Sequence, residues 1–178
     1  MLYLRRNEFQ IVICGDGGIG KTTLLKTFKR GHFINQTDPL ESEQHVIDLN
    51  LNLGLNKKTK IFLHFWDLDI DPKDLFQSRE QKTSISDFAQ HWLQADVIVL
   101  CFDLSDLDTL EDIQEWIDFL PAKTPRVLIG TKKDIGDSMK DLIEPHMDAL
   151  NLQDYIETSA RNDMDSIVAF FTEKLFLI

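Results

Sequence analysis

Apolar residues along this chain recur in two rhythms, one of strands and one of helices. The runs "EFQIVIC" (8–14), "VIVLCFDL" (97–104) and "RVLIGT" (126–131) are apolar and β-rich without alternation, the pattern of strands covered on both faces. "HVIDLNLNL" (45–53) differs: Ile47, Leu49, Leu51 and Leu53 alternate with polar residues and predict a strand with one wet face. "LGLNKKTK" then turns the chain, and "KIFLHFW" (60–66) follows so closely that it is expected to run antiparallel to its predecessor. Helical spacing appears in "KTTLLKTFKRG", which Gly31 is expected to end, and in Leu107, Leu110, Ile113, Trp116, Ile117 and Leu120. It recurs in Ile85, Phe88, Ala89, Trp92 and Leu93, and again in Met164, Ile167, Val168, Phe171 and Leu175. These stripes read as core faces. Their sum predicts an α/β fold: a mostly parallel six-stranded sheet with one antiparallel strand, helices on both faces, and ligands at the carboxyl ends of the strands.

A chain of 178 residues is expected to form one domain over 1–178 with a full core. Acidic residues outnumber basic ones 30 to 19, and the net charge of −11 argues against a general affinity for nucleic acid or anionic membrane. Cys14 and Cys101 each end or interrupt an apolar run and are expected to be reduced core residues. The start carries no signal-peptide pattern, no run approaches a membrane span, and the end "EKLFLI" lacks a prenylation motif. A cytoplasmic protein without direct membrane insertion is expected.

The stretch "GDGGIGKTT" (15–23) changes the picture, because it matches G-x-x-x-x-G-K-[ST] between a strand and a helix. A glycine-rich turn aims successive backbone N–H groups inward, and the helix behind it offers its positive end to the same phosphates. Gly15, Gly17, Gly18 and Gly20 let the backbone approach, with Asp16 and Ile19 between them. Lys21 is placed to reach the β and γ phosphates, Thr22 to offer its hydroxyl to Mg²⁺, and Thr23 continues the helix beside them.

Two more motifs stand at strand ends: "TKKD" (131–134) after "RVLIG", and "TSA" (158–160) after "YIE". With these three motifs in order, the chain resembles the Ras superfamily of small GTPases over nearly all its length, in a Rab/Rho-like form. The resemblance implies a P-loop G domain that binds GTP or GDP with Mg²⁺. It assigns Asp134 to the guanine N1 and N2 hydrogens, the Lys132 stem to the ring face, and the Ala160 amide to guanine O6. Ser159 braces Asp134; Thr131 opens the motif, Arg161 follows the third loop, and Phe33 packs on the guanine edge. Asp67 matches the aspartate on the Mg²⁺ side, held through water. A carboxylate that accepts two N–H bonds from guanine finds no such pair on adenine, and sites built this way discriminate by about 10⁴.

Both switch regions depart from the family pattern. "GHFINQTDPLES" carries Leu40 where the family has a metal-ligating threonine, leaving Thr37 and Ser42 as the nearby hydroxyls, with Thr37 the candidate metal ligand. After Asp67, Ile70 replaces a glycine and Asp71 stands where a water-orienting glutamine is expected, so catalysis rests on Lys21 with Asp71 at the catalytic position. An aspartate beside the γ-phosphate adds negative charge where the transition state needs it neutralised. The segment after Asp67 is longer than the family pattern and carries Gln77, Arg79 and Gln81. The implied protein hydrolyses GTP slowly and meets effectors or regulators through residues 34–44 and 68–95, as in signalling or trafficking. The alternative is a nucleotide-stabilised module that presents its surface constitutively. An ATP-using P-loop enzyme is disfavoured by "TKKD" with "TSA".

Overall fold

The structure is a computed structural model that describes residues 8–30, 33, 44–52, 58–67, 94–163, 165–166 and 169–170. In chain order its elements are β1 (Glu8–Cys14), α1 (Lys21–Arg30), β2 (Gln44–Asn52), β3 (Lys58–Asp67), β4 (Val97–Asp103), α2 (Asp108–Glu111), α3 (Ile113–Phe119), β5 (Arg126–Thr131), α4 (Lys140–Ile143) and β6 (Asp154–Glu157). They build one six-stranded sheet in the order β2-β3-β1-β4-β5-β6. β2 pairs antiparallel with β3, as the short connection demanded, and every other pairing is parallel. From β1 the chain goes out to β3 on one side and to β4 on the other. The carboxyl end of β1 is therefore the point where the topology reverses, and ligands of open α/β sheets bind there.

The unbroken apolar runs are explained by parity. Ile11, Ile13, Val97, Val99, Cys101, Val127 and Ile129 face one layer with Leu24, Leu25 and Phe28 of α1 and with Phe170. Val12, Cys14, Ile98, Leu100, Phe102 and Leu128 face the other with Ile113 and Trp116 of α3, Leu120, and Ile143 of α4. Successive strand residues point to opposite faces, so a strand sandwiched between helices must be apolar at every position. Cys14 and Cys101 are fully buried thiols on opposite faces that form no disulfide, and burial pushes the Cys14 thiol up to about 12. Among the described residues no helix is long and apolar enough to cross a membrane.

Two helical expectations need correction. The stripe from Leu107 to Leu120 forms two segments, α2 and α3, that meet at Asp112, whose backbone keeps helical angles. Leu107 leaves the stripe: it lies in the turn before α2 and is 51% exposed. Periodicity registers the spacing of leucines but not where the first turn begins. Gly31, the 85–93 stripe, and Met164, Ile167, Val168, Phe171 and Leu175 of the last stripe lie outside the described residues, as do the side chains of β2 on which its wet face depends.

Candidate functional site

The glycine loop leaves β1 and enters α1 at the topological reversal. Gly15 is forced by contact: a Cβ there would lie 2.2 Å from the Cys101 carbonyl oxygen. Gly18 and Gly20 have φ of +77° and +100°, the left-handed region that favours glycine. The loop curls around its own lysine. Lys21, 5% exposed at the first position of α1, donates from Nζ to the Gly15 and Asp16 carbonyls, both at 2.7 Å. An ammonium has three donors, so one remains for a ligand. The first-turn amides of α1 have no intrahelical acceptor and add their dipole in the same direction.

β5 supplies the second wall. The Thr131 hydroxyl lies 2.7 Å from the Ile19 carbonyl and 2.9 Å from the Phe102 carbonyl, sharing its one proton between them. Lys132 follows with φ +56°, in a tight turn closed by the amides of Ile135 and Gly136 donating to its carbonyl. Its ammonium reaches Asp103 Oδ2 at 2.6 Å. The Lys133 amide donates to the Thr158 carbonyl at 3.1 Å and joins this loop to the one after β6.

Asp134 closes the wall. Ser159 Oγ donates to its Oδ1 at 2.6 Å, while Oδ2 lies 3.6 Å from Arg161 Nη1. The Arg161 guanidinium also sits over the Phe33 ring, 5.3 Å from its centroid. Between these walls is a cavity of about 240 Å³, lined by Gly18, Gly20, Thr23, Phe33, Asp134 and Ala160 among others.

The structure thus brings together Gly18, Ile19, Gly20, Thr23, Phe33, Thr131, Lys132, Asp134, Ser159, Ala160 and Arg161, all of them anticipated from sequence. Thr22 sits half-buried in the first turn of α1, next to Lys21. Asp67 ends β3 in register with Ile13, two residues before Gly15, so its backbone reaches the same sheet edge. Its side chain lies outside the described residues, as do Thr37, Asp71, Leu40 and Ile70. Asp16 divides: its carbonyl holds Lys21, but its carboxylate turns to α3, accepting from Trp116 Nε1 at 3.3 Å. Burial, then a hydrogen bond with the Asp112 carboxyl, raises the Asp16 carboxyl to about 6.

Two acids escaped the sequence reading. Asp103 is the last residue of β4, 5% exposed, and accepts from the Ser105 amide at 2.9 Å and the Ser105 hydroxyl at 2.6 Å. Burial acts to raise its carboxyl, but the Lys132 and Ser105 bonds outweigh it and hold the group below its ordinary value. Glu157 ends β6 and accepts on Oε1 from the Tyr155 hydroxyl, the Ser138 hydroxyl and the Met139 amide, at 2.9, 2.9 and 2.7 Å. It pins the loop beyond Asp134. In both cases the available signal was an acid closing a strand at the edge that carries the motifs.

A glycine loop wrapped on its lysine at the reversal point of a parallel sheet places this chain in the P-loop class of α/β proteins. Comparison narrows the class: the profile of the Ras family matches residues 10–175, and the chain belongs to that family of small GTP-binding proteins. It is similar to GTP-binding protein RHO4 of Saccharomyces cerevisiae, 29% identical over 145 residues that cover 78% of this chain and 45% of that protein. It is also similar to Ras-related protein RABG1 of Arabidopsis thaliana, 26% identical over 94% of this chain and 81% of the relative. Ras-related protein Rab-30 of Homo sapiens is likewise 26% identical, over 95% of this chain and 76% of the relative. The chain thus spans less than half of the yeast relative and most of the other two.

Proposed function

We propose that this protein binds GTP and GDP with Mg²⁺ and hydrolyses GTP slowly, as a regulator in signalling or trafficking. One observation carries the reading: the phosphate loop and the Ser159-braced Asp134 carboxylate open into one cavity. Asp134 accepts from guanine N1 and N2, the Lys132 stem covers one ring face, the Ala160 amide meets O6, and Phe33 with Arg161 closes the other side. Lys21 and the loop amides bind the phosphates. Adenine presents no matching pair of N–H donors to the Asp134 carboxylate, so that half of the recognition is lost with ATP.

Mg²⁺, when bound, neutralises phosphate charge. Thr22 and Asp67 are the residues that would hold it, with Thr37 as a third candidate; the backbone of Asp67 ends β3 beside Ile13 of β1, and Thr22 stands in the first turn of α1, which the loop after β1 enters. In this reading Lys21 stabilises phosphate charge and the catalytic position falls to Asp71. Intrinsic turnover is then about 10⁻⁴ s⁻¹ or slower, the order of an unassisted site of this class. Residues 34–44 and 68–95 are the surface for effectors and regulators. A second reading, a constitutive binding module that keeps its nucleotide, is favoured by Leu40 and Ile70, which remove the side chain and weaken the backbone contact that would sense a γ-phosphate.

Denaturing the purified protein and identifying the released nucleotide tests the base. GDP or GTP supports the reading, and ATP or ADP overturns it. Single-turnover hydrolysis then separates the two readings: a measurable rate supports the GTPase, and retained GTP with no turnover supports the binding module.

A further inference from the structure

Asp103 belongs to none of the three nucleotide motifs, yet it holds the residue that forms one wall of the cavity. It stands at the end of β4 in register with Thr131, so the two strand ends bring Asp103 beside Lys132. Its oxygens divide their work. Oδ1 takes both donors of Ser105, which fixes the carboxylate plane, and Oδ2 takes the Lys132 ammonium at 2.6 Å. Lys132 is fixed at its other end too, by a backbone at φ +56° whose carbonyl accepts two amides.

Between these anchors the Lys132 stem crosses the phosphate loop, its Cε 3.9 Å from where a Cβ of Gly20 would stand. The side chain remains 35% exposed toward the cavity, so the stem is a wall and not a filler. A free lysine stem samples many rotamers, and fixing it during binding costs conformational entropy. Anchoring it beforehand removes that cost from binding.

We propose that Asp103 is a positioning residue for the nucleotide site: by pairing with the Lys132 ammonium it holds the stem flat against the purine and neutralises a charge that would otherwise compete for the phosphates. The proposal rests on the guanine-nucleotide reading above. On the nucleotide Asp103 acts through Lys132 alone, although it also holds Ser105, and this separates it from a merely structural acid.

The test is release of methylanthraniloyl-GDP from the full chain, chased with excess GDP, in wild type, D103N, K132M and the double variant. Asn keeps an acceptor for Ser105, and Lys132 can turn to solvent, so D103N is expected to fold. Loss of one charge-assisted bond predicts release about tenfold faster in D103N. K132M should also release faster, and D103N added to K132M should accelerate it no further. Release from D103N within about twofold of wild type overturns the proposal, as does an acceleration that persists undiminished in the K132M background. A wild-type chain that takes up no GDP overturns the guanine reading itself, so the two failures are distinguishable. If D103N does not fold, Ser105→Ala removes one donor from the same carboxylate; a smaller acceleration that vanishes on K132M supports the proposal, and none overturns it.

Discussion

The hydroxyl of Thr131 lies 2.7 Å from the carbonyl oxygen of Ile19, across 112 residues of chain, and ties the base-side wall to the phosphate loop. Both partners are buried, so the bond fixes the distance between the two halves of the cavity. Without it each half keeps its own turn but not its spacing.

Thr131→Val keeps the shape and removes that bond, leaving the carbonyls of Ile19 and Phe102 short of a donor. An unfolding midpoint in urea should show a loss of about 1–3 kcal/mol. A stability within experimental error of wild type would show that the tie is dispensable.

Ligand-shifted melting reads the two walls separately. With GDP at about 100-fold above its dissociation constant, binding should add about 2.7 kcal/mol of stability if the unfolded chain binds none. Lys21→Ala should abolish most of the shift by removing the phosphate ammonium, whereas Asp134→Ala should reduce the preference for GDP over ADP. Equal shifts from ADP and GDP in wild type would contradict the assigned role of Asp134.

Glycine substitutions should differ sharply within one loop. Gly15→Ala places a Cβ 2.2 Å from the Cys101 carbonyl oxygen with φ at +138°, so it should destabilise by about 3 kcal/mol or more. Gly17→Ala meets nothing within 4 Å and should stay within about 0.5 kcal/mol of wild type. Denaturant titration of both variants without nucleotide checks this pair, and comparable losses would refute the loop path.

Asp16 carries a pH signature. Burial and the Asp112 carboxyl raise its folded-state value from 3.8 to about 6. The folded protein therefore binds this proton more tightly than the unfolded chain. Its stabilising contribution is fully present below about 3.8 and is lost as pH rises through about 6. Asp16→Asn does not titrate, so wild type should lose stability relative to the variant between pH 4 and pH 7. A stability difference that stays constant across this window would show that Asp16 titrates normally.

Features written in consecutive residues could be read along the chain. "GDGGIGKTT", "TKKD" and "TSA" each form one turn at one strand end, and their chemistry follows from adjacent backbone amides and side chains. The strands were legible for a related reason, since burial on both faces demands apolar residues in a strand's interior, and "VIVLCF" and "VLIG" meet that demand, with polar residues only at the strand ends. The helical stripe was legible in its spacing but not in its start, hence Leu107 on the surface. Which acid meets which base depends on how the elements pack. Asp103 and Lys132 pair because β4 and β5 lie side by side, and the Asp16 carboxylate faces Trp116, 100 residues on, instead of the cavity. Such contacts join elements whose order across the sheet, β2-β3-β1-β4-β5-β6, is not their order along the chain, and side chains separated in this way leave no local pattern to read.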